Sequence, residues 1–220
     1  MVEEAVHCGL CEILLLEDER LEEYAELIRQ AESMGAQLVA VSTGVMQGLC
    51  AAKAPQGIVC IARVPTWPGT LQGELLLALD AVQDPGNLGT IVRTADAAGF
   101  CGVILGRGCA DPTGPKALQA TMGSIFRMPI ARSENLEVTL TEYAQRGYSV
   151  VASMLGGTDF YAACPSCPAV LVIGNEGNGI SEAVARTATV RLALPMRGGA
   201  ESLNAAVAAG IMMYELSRRT

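Results

Sequence analysis

A glycine-rich loop directly follows an apolar strand near the C-terminal end of the chain. The strand is predicted at residues 169–173, and the loop, GNEGNG, begins at Gly174 and carries Asn175 and Glu176. Its glycines are spaced as GxxGxG with no Lys-Ser or Lys-Thr after them, so the common nucleotide-binding fingerprints do not fit. Glycine at a strand end permits a sharp turn and a close approach of a ligand to the backbone. We interpret the loop as part of a ligand site, with an ordinary turn as the alternative.

The next predicted strand, at residues 190–193, also ends in a polar loop that contains glycines. The loop reads LPMRGGAESLN and includes Ser202 and Asn204. Serine is a favourable N-cap, and Ser202 is predicted to cap the long apolar helix that follows. Open α/β sheets bind ligands at the carboxyl ends of their strands. We therefore expect the two loops to contribute to one site.

A third segment with polar residues lies earlier in the chain. It reads DPGNLGTIVRTADAAG, and its first six residues are predicted to form a turn before a helix from about residue 88 to residue 98. Asn87 is predicted to be the N-cap of this helix. Arg93 is placed near the N-terminal end of the helix, where the helix dipole disfavours a positive charge. We therefore interpret Arg93 as a functional residue.

The three segments together resemble the signature motifs of one enzyme family. DPGNLGTIVRTADAAG, GNEGNGIS and ALPMRGGAESLNAAVA are similar to the motifs of the SpoU (TrmH-type) branch of the SPOUT superfamily, and the resemblance covers roughly residues 75–216. Members are S-adenosylmethionine-dependent RNA ribose 2'-O-methyltransferases. Three motifs in order are more specific than one glycine loop. The resemblance implies an rRNA or tRNA substrate, a homodimer with sites at its interface, and a C-terminal trefoil knot.

The resemblance also implies roles for individual residues. The S-adenosylmethionine site is expected to be formed by Gly174, Asn175, Leu194, Met196 and Leu203. The acceptor ribose is expected to be positioned by the catalytic set Arg93, Asn87, Glu176, Ser202 and Asn204. Because a guanidinium stays protonated in proteins, we interpret Arg93 as a group that stabilises the acceptor phosphate or the developing 2'-oxyanion. For the three apolar residues, packing in the core is the alternative.

Strands and helices alternate along the chain, which predicts an α/β protein with a mostly parallel sheet and helices on both faces. Residues 1–64 are predicted to form a small α/β unit, residues 65–73 a linker, and residues 74–220 the methyltransferase domain. The resemblance implies that the first unit is a ribosomal-protein-like substrate-binding domain. Relatives usually have a basic segment before the helix that starts here near Val2. Either a trimmed N-terminus or the loss of an RNA contact accounts for this difference.

Apolar periodicity predicts the individual elements of both units. In the first unit these are strands at 13–16, 37–41 and 57–62, a helix at 21–31, and a short helix capped by Thr43. In the second unit they are strands at 75–79, 103–105, 126–130 and 149–153 and helices at 115–121, 136–146 and 202–218, besides the elements named above. The last helix carries more apolar surface than one face needs, which favours a homodimer.

The charge of the chain is unevenly distributed. The formal net charge is -8, and residues 1–33 hold ten acidic and two basic side chains, whereas residues 34–220 hold thirteen of each. An RNA-binding protein normally presents a basic surface. Eleven of the thirteen later basic residues are arginines, which suit bidentate contact with phosphate. Whether the acidic first unit contacts RNA stays open at this stage.

Cysteine spacing raises the question of a metal site. The pairs Cys8/Cys11 and Cys164/Cys167 each have C-x-x-C spacing, but they are far apart, and His7 is the single histidine. Reduced thiols are therefore favoured over zinc, and we expect no metal. No apolar run is long enough to span a membrane, and the acidic N-terminus differs from a signal peptide, so a cytoplasmic location is expected.

Two other classes of function remain as hypotheses. One is a catalytically silent RNA-binding module of the same fold, which the presence of all five catalytic candidates disfavours. The other is a small-molecule enzyme on an open α/β sheet. The neutral charge of residues 34–220 leaves room for this second hypothesis.

Overall fold

A computed structural model describes residues 1–50, 56–163 and 165–219. The chain divides into two compact units, Met1–Thr66 and Trp67–Thr220. The end of the segment predicted as a linker is packed into the second unit. There Leu71 is buried, and the Tyr143 hydroxyl donates to its carbonyl at 2.9 Å and accepts from its N–H at 3.1 Å.

The first unit is a small α/β structure built around a mixed sheet. Its elements are α1 (Val2–His7), β1 (Cys11–Glu17), α2 (Ala25–Ser33), β2 (Gln37–Val41), α3 (Thr43–Leu49) and β3 (Ile58–Ala62). Within the described residues the strand order is β2-β1-β3, with β1 parallel to β2 and antiparallel to β3. Leu14 and Leu16 of β1 are buried against α1 and α2, as the apolar pattern of this strand predicts.

Two details of the first unit differ from prediction. A 3-10 turn at Asp18–Arg20 delays the start of α2 to Ala25, and Arg20 donates hydrogen bonds to the carboxylate of Glu23 across this turn. The N-cap position of α3 is Ser42 rather than Thr43. Both differences arise because short local contacts decide where a helix begins, while periodicity locates its body.

The second unit contains a parallel sheet with helices on both faces. Its elements are β4 (Leu75–Leu79), α4 (Pro85–Ala97), β5 (Val103–Leu105), α5 (Pro115–Thr121), β6 (Ile130–Arg132), α6 (Leu136–Gln145), β7 (Ser149–Asp159), β8 (Ala169–Ile173), α7 (Glu182–Thr187), β9 (Val190–Ala193) and α8 (Ala205–Arg219). Among the described residues the strand order is β6-β5-β4-β8-β7-β9, and the pairings are parallel. The predicted α/β class with a parallel sheet is confirmed.

The side chains of β4 show why its sequence is almost continuously apolar. Leu75, Leu77 and Leu79 face a core formed with α4, α5 and α8, whereas Leu76 and Ala78 face a second core formed with α6 and α7. Successive residues of a strand point to opposite faces, so a strand covered on both sides must be apolar throughout. This burial fixes β4 in the middle of the sheet.

The strand predicted at 126–130 lies elsewhere, at Ile130–Arg132. Met122 and Gly123 have positive φ values of 50° and 99°, which end α5 and start a 3-10 turn at Ser124–Phe126. The carbonyl of Ser124 then accepts a hydrogen bond from the N–H of Met128 at 2.8 Å. Ile125 of this turn is buried and Phe126 is half-buried, and burial without alternation does not distinguish a turn from a short strand.

The strand β7 extends past the predicted end at residue 153 because it contains a bulge. Its pairing with β9 shifts register between Ser153 and Thr158, both of which oppose Leu192. Gly156 has a φ of 77°, and a Cβ on Gly157 would lie 2.7 Å from the carbonyl carbon of Leu192. Glycine therefore permits both the bend and the close approach of the two strands.

The contact between α4 and α5 gives a test of packing. A Cβ on Gly89 would lie 2.4 Å from the carbonyl oxygen of Ala117 and 2.6 Å from the Cβ of Ala120. Gly89→Ala should lower the free energy of unfolding by roughly 1–3 kcal/mol, because backbone must move to admit the methyl group. Gly210→Ala in α8 is the matched control, since its new Cβ would lie 3.5 Å from Thr94. Denaturant unfolding measures both, and equal stability of the two variants would contradict this prediction.

Candidate active site

The helix α4 begins with a compact capping arrangement at the carboxyl end of β4. The Asp84 side chain accepts a hydrogen bond from the N–H of Asn87 at 2.7 Å, and Pro85 occupies the first helical position. Proline is favourable there because its fixed φ suits a helix and no N–H is needed. Asp84 is therefore the N-cap, and the prediction that Asn87 caps the helix is wrong. The segment predicted as a turn forms the first turn of α4.

The side chain of Asn87 instead connects all three motif segments. Its Nδ2 donates to Glu176 Oε1 at 3.0 Å, and its Oδ1 accepts from Asn204 Nδ2 at 3.0 Å. Asn87 follows β4, Glu176 follows β8 and Asn204 follows β9. The structure thus brings these three predicted residues together in one hydrogen-bonded network.

The carboxylate of Glu176 holds the loop between β4 and α4. Its Oε2 accepts from the Gln83 N–H at 3.2 Å, and its Oε1 accepts from the Asp84 N–H at 3.1 Å. Burial raises the pKa of Glu176, but the hydrogen bonds from Asn87 and from backbone N–H groups outweigh it, and the net pKa is lowered. Glu176 is therefore ionised at neutral pH, and its oxygens are engaged in positioning this loop.

The side chain of Asn175 stabilises the loop after β8 through hydrogen bonds to the backbone of that loop. Its Oδ1 accepts from the N–H groups of Gly177 and Asn178, both at 3.0 Å, and its Nδ2 donates to the carbonyl of Ala81 at 2.9 Å. An amide side chain offers two donors and two acceptor lone pairs, so most of this capacity is used inside the protein. The predicted cofactor role of Asn175 therefore depends on its backbone.

Gly174 is needed because the same loop folds back on itself. A Cβ at this position would lie 2.2 Å from the carbonyl carbon of Gly179 and 2.3 Å from the nitrogen of Ile180. Such a contact is impossible without moving backbone. The sequence predicted a close approach at Gly174, and the group that approaches it in the structure is the returning strand of the loop.

Asn204 has a second role, at the start of α8. Its Oδ1 accepts from the N–H groups of Ala206 at 2.9 Å and Val207 at 3.3 Å, which is N-cap geometry. Asn204 therefore caps α8, and the prediction that Ser202 does so is wrong. Ser202 is exposed, and within the described parts of the chain its side chain makes no hydrogen bond.

A cavity of about 200 Å³ lies under the loop that follows β9, and Leu203 in its wall directly precedes Asn204 of the network. Leu194, Met196 and Leu203 line it, so three of the predicted cofactor residues are brought together. Tyr161 and Ile211 also line the cavity, and they were not predicted. Ile211 lies two helical turns beyond Leu203, a spacing that provides a signal in the sequence. Tyr161 has no such signal because it follows β7 in an irregular segment.

Arg93 belongs neither to the polar network nor to the residues that line the cavity. It is the ninth of the 13 residues of α4, so it lies in the C-terminal half and the predicted conflict with the helix dipole does not exist. The side chain is exposed, and among the described residues it makes no hydrogen bond or ion pair. Arg93 therefore has a guanidinium available for a ligand.

Asp80 is a further polar residue at this edge of the sheet, and it was not predicted to belong to the site. It is 9% exposed, directly follows β4, and its Oδ2 accepts from the Ser181 N–H at 2.7 Å. This contact joins the end of β4 to the N-cap of α7. A charged residue at the end of an apolar strand was the available signal.

The described parts of the chain offer neither a metal-binding cluster nor a membrane-spanning helix. These parts contain no group of three or more His, Cys, Asp or Glu side chains that could hold a metal ion, and Cys164 lies outside them. Burial, with a smaller effect of Cys11, raises the pKa of Cys60 to about 11, so this thiol stays protonated at neutral pH. The helices described here are too short or too polar to cross a bilayer.

Fold and site together define an α/β protein with a parallel sheet and a candidate ligand site at the carboxyl ends of its strands. The profile of the SpoU rRNA Methylase family matches residues 74–214, and the chain belongs to this family. The family assignment predicted from the three motifs is confirmed.

Individual relatives agree with this assignment. The 23S rRNA (guanosine(2553)-2'-O)-methyltransferase RlmP of Bacillus subtilis is 36% identical over 98% of this chain and 85% of its own length. The AdoMet-bound rRNA methyltransferase from Sinorhizobium meliloti superposes with a TM-score of 0.81 at 35% identity, over 99% of this chain and 84% of that one. The SpoU methyltransferase AviRb from Streptomyces viridochromogenes, in complex with AdoMet, has a TM-score of 0.80 at 29% identity, over 98% and 86%. The chain spans about half the length of further curated relatives, 54% and 47% for two of them.

The lowered pKa of Glu176 predicts a pH-dependent contribution to stability. In Glu176→Gln an amide replaces acceptor oxygens that face N–H donors, so the variant should melt at a lower temperature at neutral pH. The extra stability of the native protein over the variant should be complete above the pKa of an unfolded glutamate, about 4.3. It should disappear as the pH falls through the lower pKa of Glu176 in the folded protein. Thermal unfolding across this pH range measures the difference in melting temperature between the native protein and Glu176→Gln. Glu142→Gln on α6 controls for net charge, and a difference that does not change with pH would contradict the prediction.

Proposed function

We propose that this protein transfers a methyl group from S-adenosylmethionine to a ribose 2'-hydroxyl of rRNA or tRNA. The observation that carries the proposal is the Asn87–Glu176–Asn204 network, which joins the three family motifs at one edge of the sheet. The rRNA specificity in the names of the relatives supports an RNA acceptor. An RNA acceptor also favours a reaction in the cytoplasm.

The cavity beside the network is the proposed cofactor site. Its walls at Leu194, Met196 and Leu203 suit the adenosyl part of S-adenosylmethionine, because aromatic bases pack well on aliphatic side chains. Its volume of about 200 Å³ is below the roughly 300–1,000 Å³ of typical ligand pockets. Gly198 and Gly199 lie in the exposed loop above it, and we propose that this loop moves outward on binding. Bound S-adenosylmethionine supplies a methyl group activated by a sulfonium.

The polar network is proposed to act on the acceptor side. The 2'-oxygen must be aligned with the methyl carbon and must lose its proton. Glu176 is unsuited to be the base, since its oxygens already accept hydrogen bonds and its pKa is lowered. We assign it, with Asn87 and Asn204, to positioning. Arg93 is proposed to stabilise the acceptor phosphate or the developing oxyanion through its available guanidinium. Ser202 is proposed to contact the acceptor from the loop after β9.

A second copy of the chain is the proposed partner of α8. The side chains of Leu203, Val207, Ile211 and Tyr214 are 36–56% exposed and recur every three or four residues along one face. Tyr161, at 52% exposure, borders the same face. A contiguous apolar stripe of this kind marks an interaction surface. Since Leu203 and Ile211 also line the cavity, a dimer formed through this stripe would place the cofactor site beside the interface.

We also propose a trefoil knot for the C-terminal segment and a substrate-binding role for the first unit. In support of the knot, the chain leaves the edge strand β9 and returns to pack α8 against α4, where Ser217 donates to the Ala98 carbonyl at 2.7 Å. In support of the role, the solved relatives cover at least 98% of this chain. Tracing the backbone in a crystal structure with RNA tests both proposals.

The role of Arg93 can be separated from cofactor binding. Arg93→Ala should leave S-adenosylmethionine affinity nearly unchanged in calorimetry, with chelator present, while methylation of unmodified rRNA and tRNA falls by roughly a hundredfold or more. Arg93→Lys should restore little, because an ammonium cannot reproduce the planar fork. Arg186→Ala, on α7, is the charge-matched control. Full activity of Arg93→Ala would remove it from the site, and cofactor binding without methylation of any RNA by the native protein would favour the catalytically silent module.

The proposed dimer can be tested through the exposed stripe of α8. Light scattering at micromolar concentration should give the mass of two chains for the native protein. Val207→Glu should yield monomers, since it places a charge in the centre of the apolar interface. Val138→Glu adds the same charge at an equally exposed position on α6, where both valines are 51% exposed, and should leave the dimer intact. A native monomer would refute the proposal.

A further inference from the structure

The basic charge of this acidic protein is concentrated in one segment of the second unit. Residues 81–132, which contain α4, β5 and α5, carry five basic and three acidic side chains, whereas the rest of the chain carries ten basic and twenty acidic ones. The segment therefore has a positive balance within a chain whose net charge is -8. It also contains Asn87 and Arg93, so the local excess of positive charge adjoins the proposed acceptor site.

The three acidic side chains of this segment are already engaged. Asp84 caps α4. Asp96 forms an ion pair with Arg127 at 2.7 Å, and Asp111 forms one with Arg132 at 2.9 Å. The positive charges that are not offset in this way belong to the three remaining basic residues of the segment.

These residues are Arg93, Arg107 and Lys116, which we call the α4–α5 basic surface. Each side chain is exposed, and over the described ranges each makes no ion pair or hydrogen bond. Two arginines elsewhere in the second unit have acidic partners. Arg186 pairs with Glu137 at 3.7 Å, and Arg218 pairs with Glu215 at 2.7 Å.

Backbone contacts hold Arg107 next to the loop that carries the polar network. The N–H of Gly106 donates to the Leu79 carbonyl, and the N–H of Ala110 donates to the Val82 carbonyl, both at 2.9 Å. Gly108, with a φ of 87°, turns the chain so closely that an added Cβ would lie 3.3 Å from the Cβ of Ala81. The loop after β5 is thus attached on both sides of Arg107 to the segment after β4.

Lys116 lies at the same edge of the sheet. It is the second residue of α5, and the loop from the carboxyl end of β5 leads into this helix. The close contact of Gly89 with Ala117 and Ala120 fixes α5 against α4. Arg93 follows Gly89 by four residues, so it lies on the side of α4 that faces α5. The three charges therefore belong to one rigid pair of helices and its connecting loop.

We propose that the α4–α5 basic surface binds the phosphates that flank the acceptor nucleotide of the RNA substrate. Arginine contacts phosphate through a planar fork and lysine as a point charge, and both suit the sugar-phosphate backbone of RNA. The inference rests on the proposed function, and it names where the substrate strand runs: over the loop after β5 and the start of α5. The opposite face of the sheet, which α6 and α7 cover, has no part in the proposed binding of phosphates.

Screening explains how an acidic protein can bind RNA at such a surface. The Debye length is about 8 Å at physiological ionic strength, so charges farther away contribute little to the potential at an exposed site. Residues 1–66 carry ten acidic and four basic side chains, so the substrate-binding role proposed for the first unit rests on contacts other than those with phosphates. Local charge, rather than the net charge of the chain, therefore governs the encounter with RNA.

The test compares charge-removing variants in an RNA-binding assay. Anisotropy of a labelled, unmodified single-stranded RNA is measured with native protein, Arg107→Ala, Lys116→Ala and the double variant over a range of salt concentrations. Each substitution should raise Kd several-fold, on the order of tenfold or more for the pair. Each should also reduce the magnitude of the slope of log Kd against log salt by about 0.7–1. Arg186→Ala is the control and should change neither quantity, although it removes the same charge.

Parallel assays distinguish failure of this inference from failure of the proposed function. In methyl transfer to unmodified rRNA and tRNA, the double variant should show a raised KM for RNA with kcat largely retained, and unchanged S-adenosylmethionine affinity. Native methylation together with native-like RNA affinity and salt slope in the double variant would overturn the inference and leave the function standing. An effect of Arg186→Ala as large as that of Lys116→Ala would also overturn it. Absence of RNA binding and methylation by the native protein would refute both.

Discussion

The carboxylate of Glu176 is the interaction on which the arrangement of the site depends. Strands β4 and β8 are neighbours in a parallel sheet, so the loops at their carboxyl ends start side by side. Proximity alone does not fix the conformation of either loop. Glu176 restricts both loops by accepting hydrogen bonds from two backbone N–H groups before α4 and from Asn87. The hydrogen bonds outweigh the cost of partial burial, as the lowered pKa shows, and the result is a preorganised polar edge.

Two parts of the site meet at adjacent residues of the segment after β9. Leu203 lines the cavity, while Asn204 caps α8 and donates to Asn87. Because Asn204 is fixed by the helix and by the network, the proposed outward movement of the loop would involve the residues before it, where Gly198 and Gly199 lie. A ligand entering the cavity would displace this loop without disturbing the network. We infer that cofactor binding and acceptor positioning are served by neighbouring but separately stabilised groups.

The electrostatics of the second unit follow from which charges have partners. Ion pairs between exposed side chains add little to stability, but they reduce the charge that a surface presents to a ligand. Pairs such as Arg127 with Asp96 and Arg132 with Asp111 do so on this unit. The basic groups that stay unpaired among the described residues of this segment are Arg93, Arg107 and Lys116. Net charge computed from composition therefore concealed a local positive surface next to the proposed acceptor site.

Apolar patterning in the sequence by itself determined the α/β class and the bounds of β4, β5 and β8, because burial on both faces imposes a continuous signal on a strand. The three motifs likewise identified the family and the loops of the site. Only the tertiary structure decided which polar residue does what. Asn87 and Ser202 are each of a residue type that favours the N-cap position, yet Asp84 and Asn204 cap the helices. Asn87 contacts Glu176, 89 residues away in the chain, and a local pattern contains no information about such a distant partner.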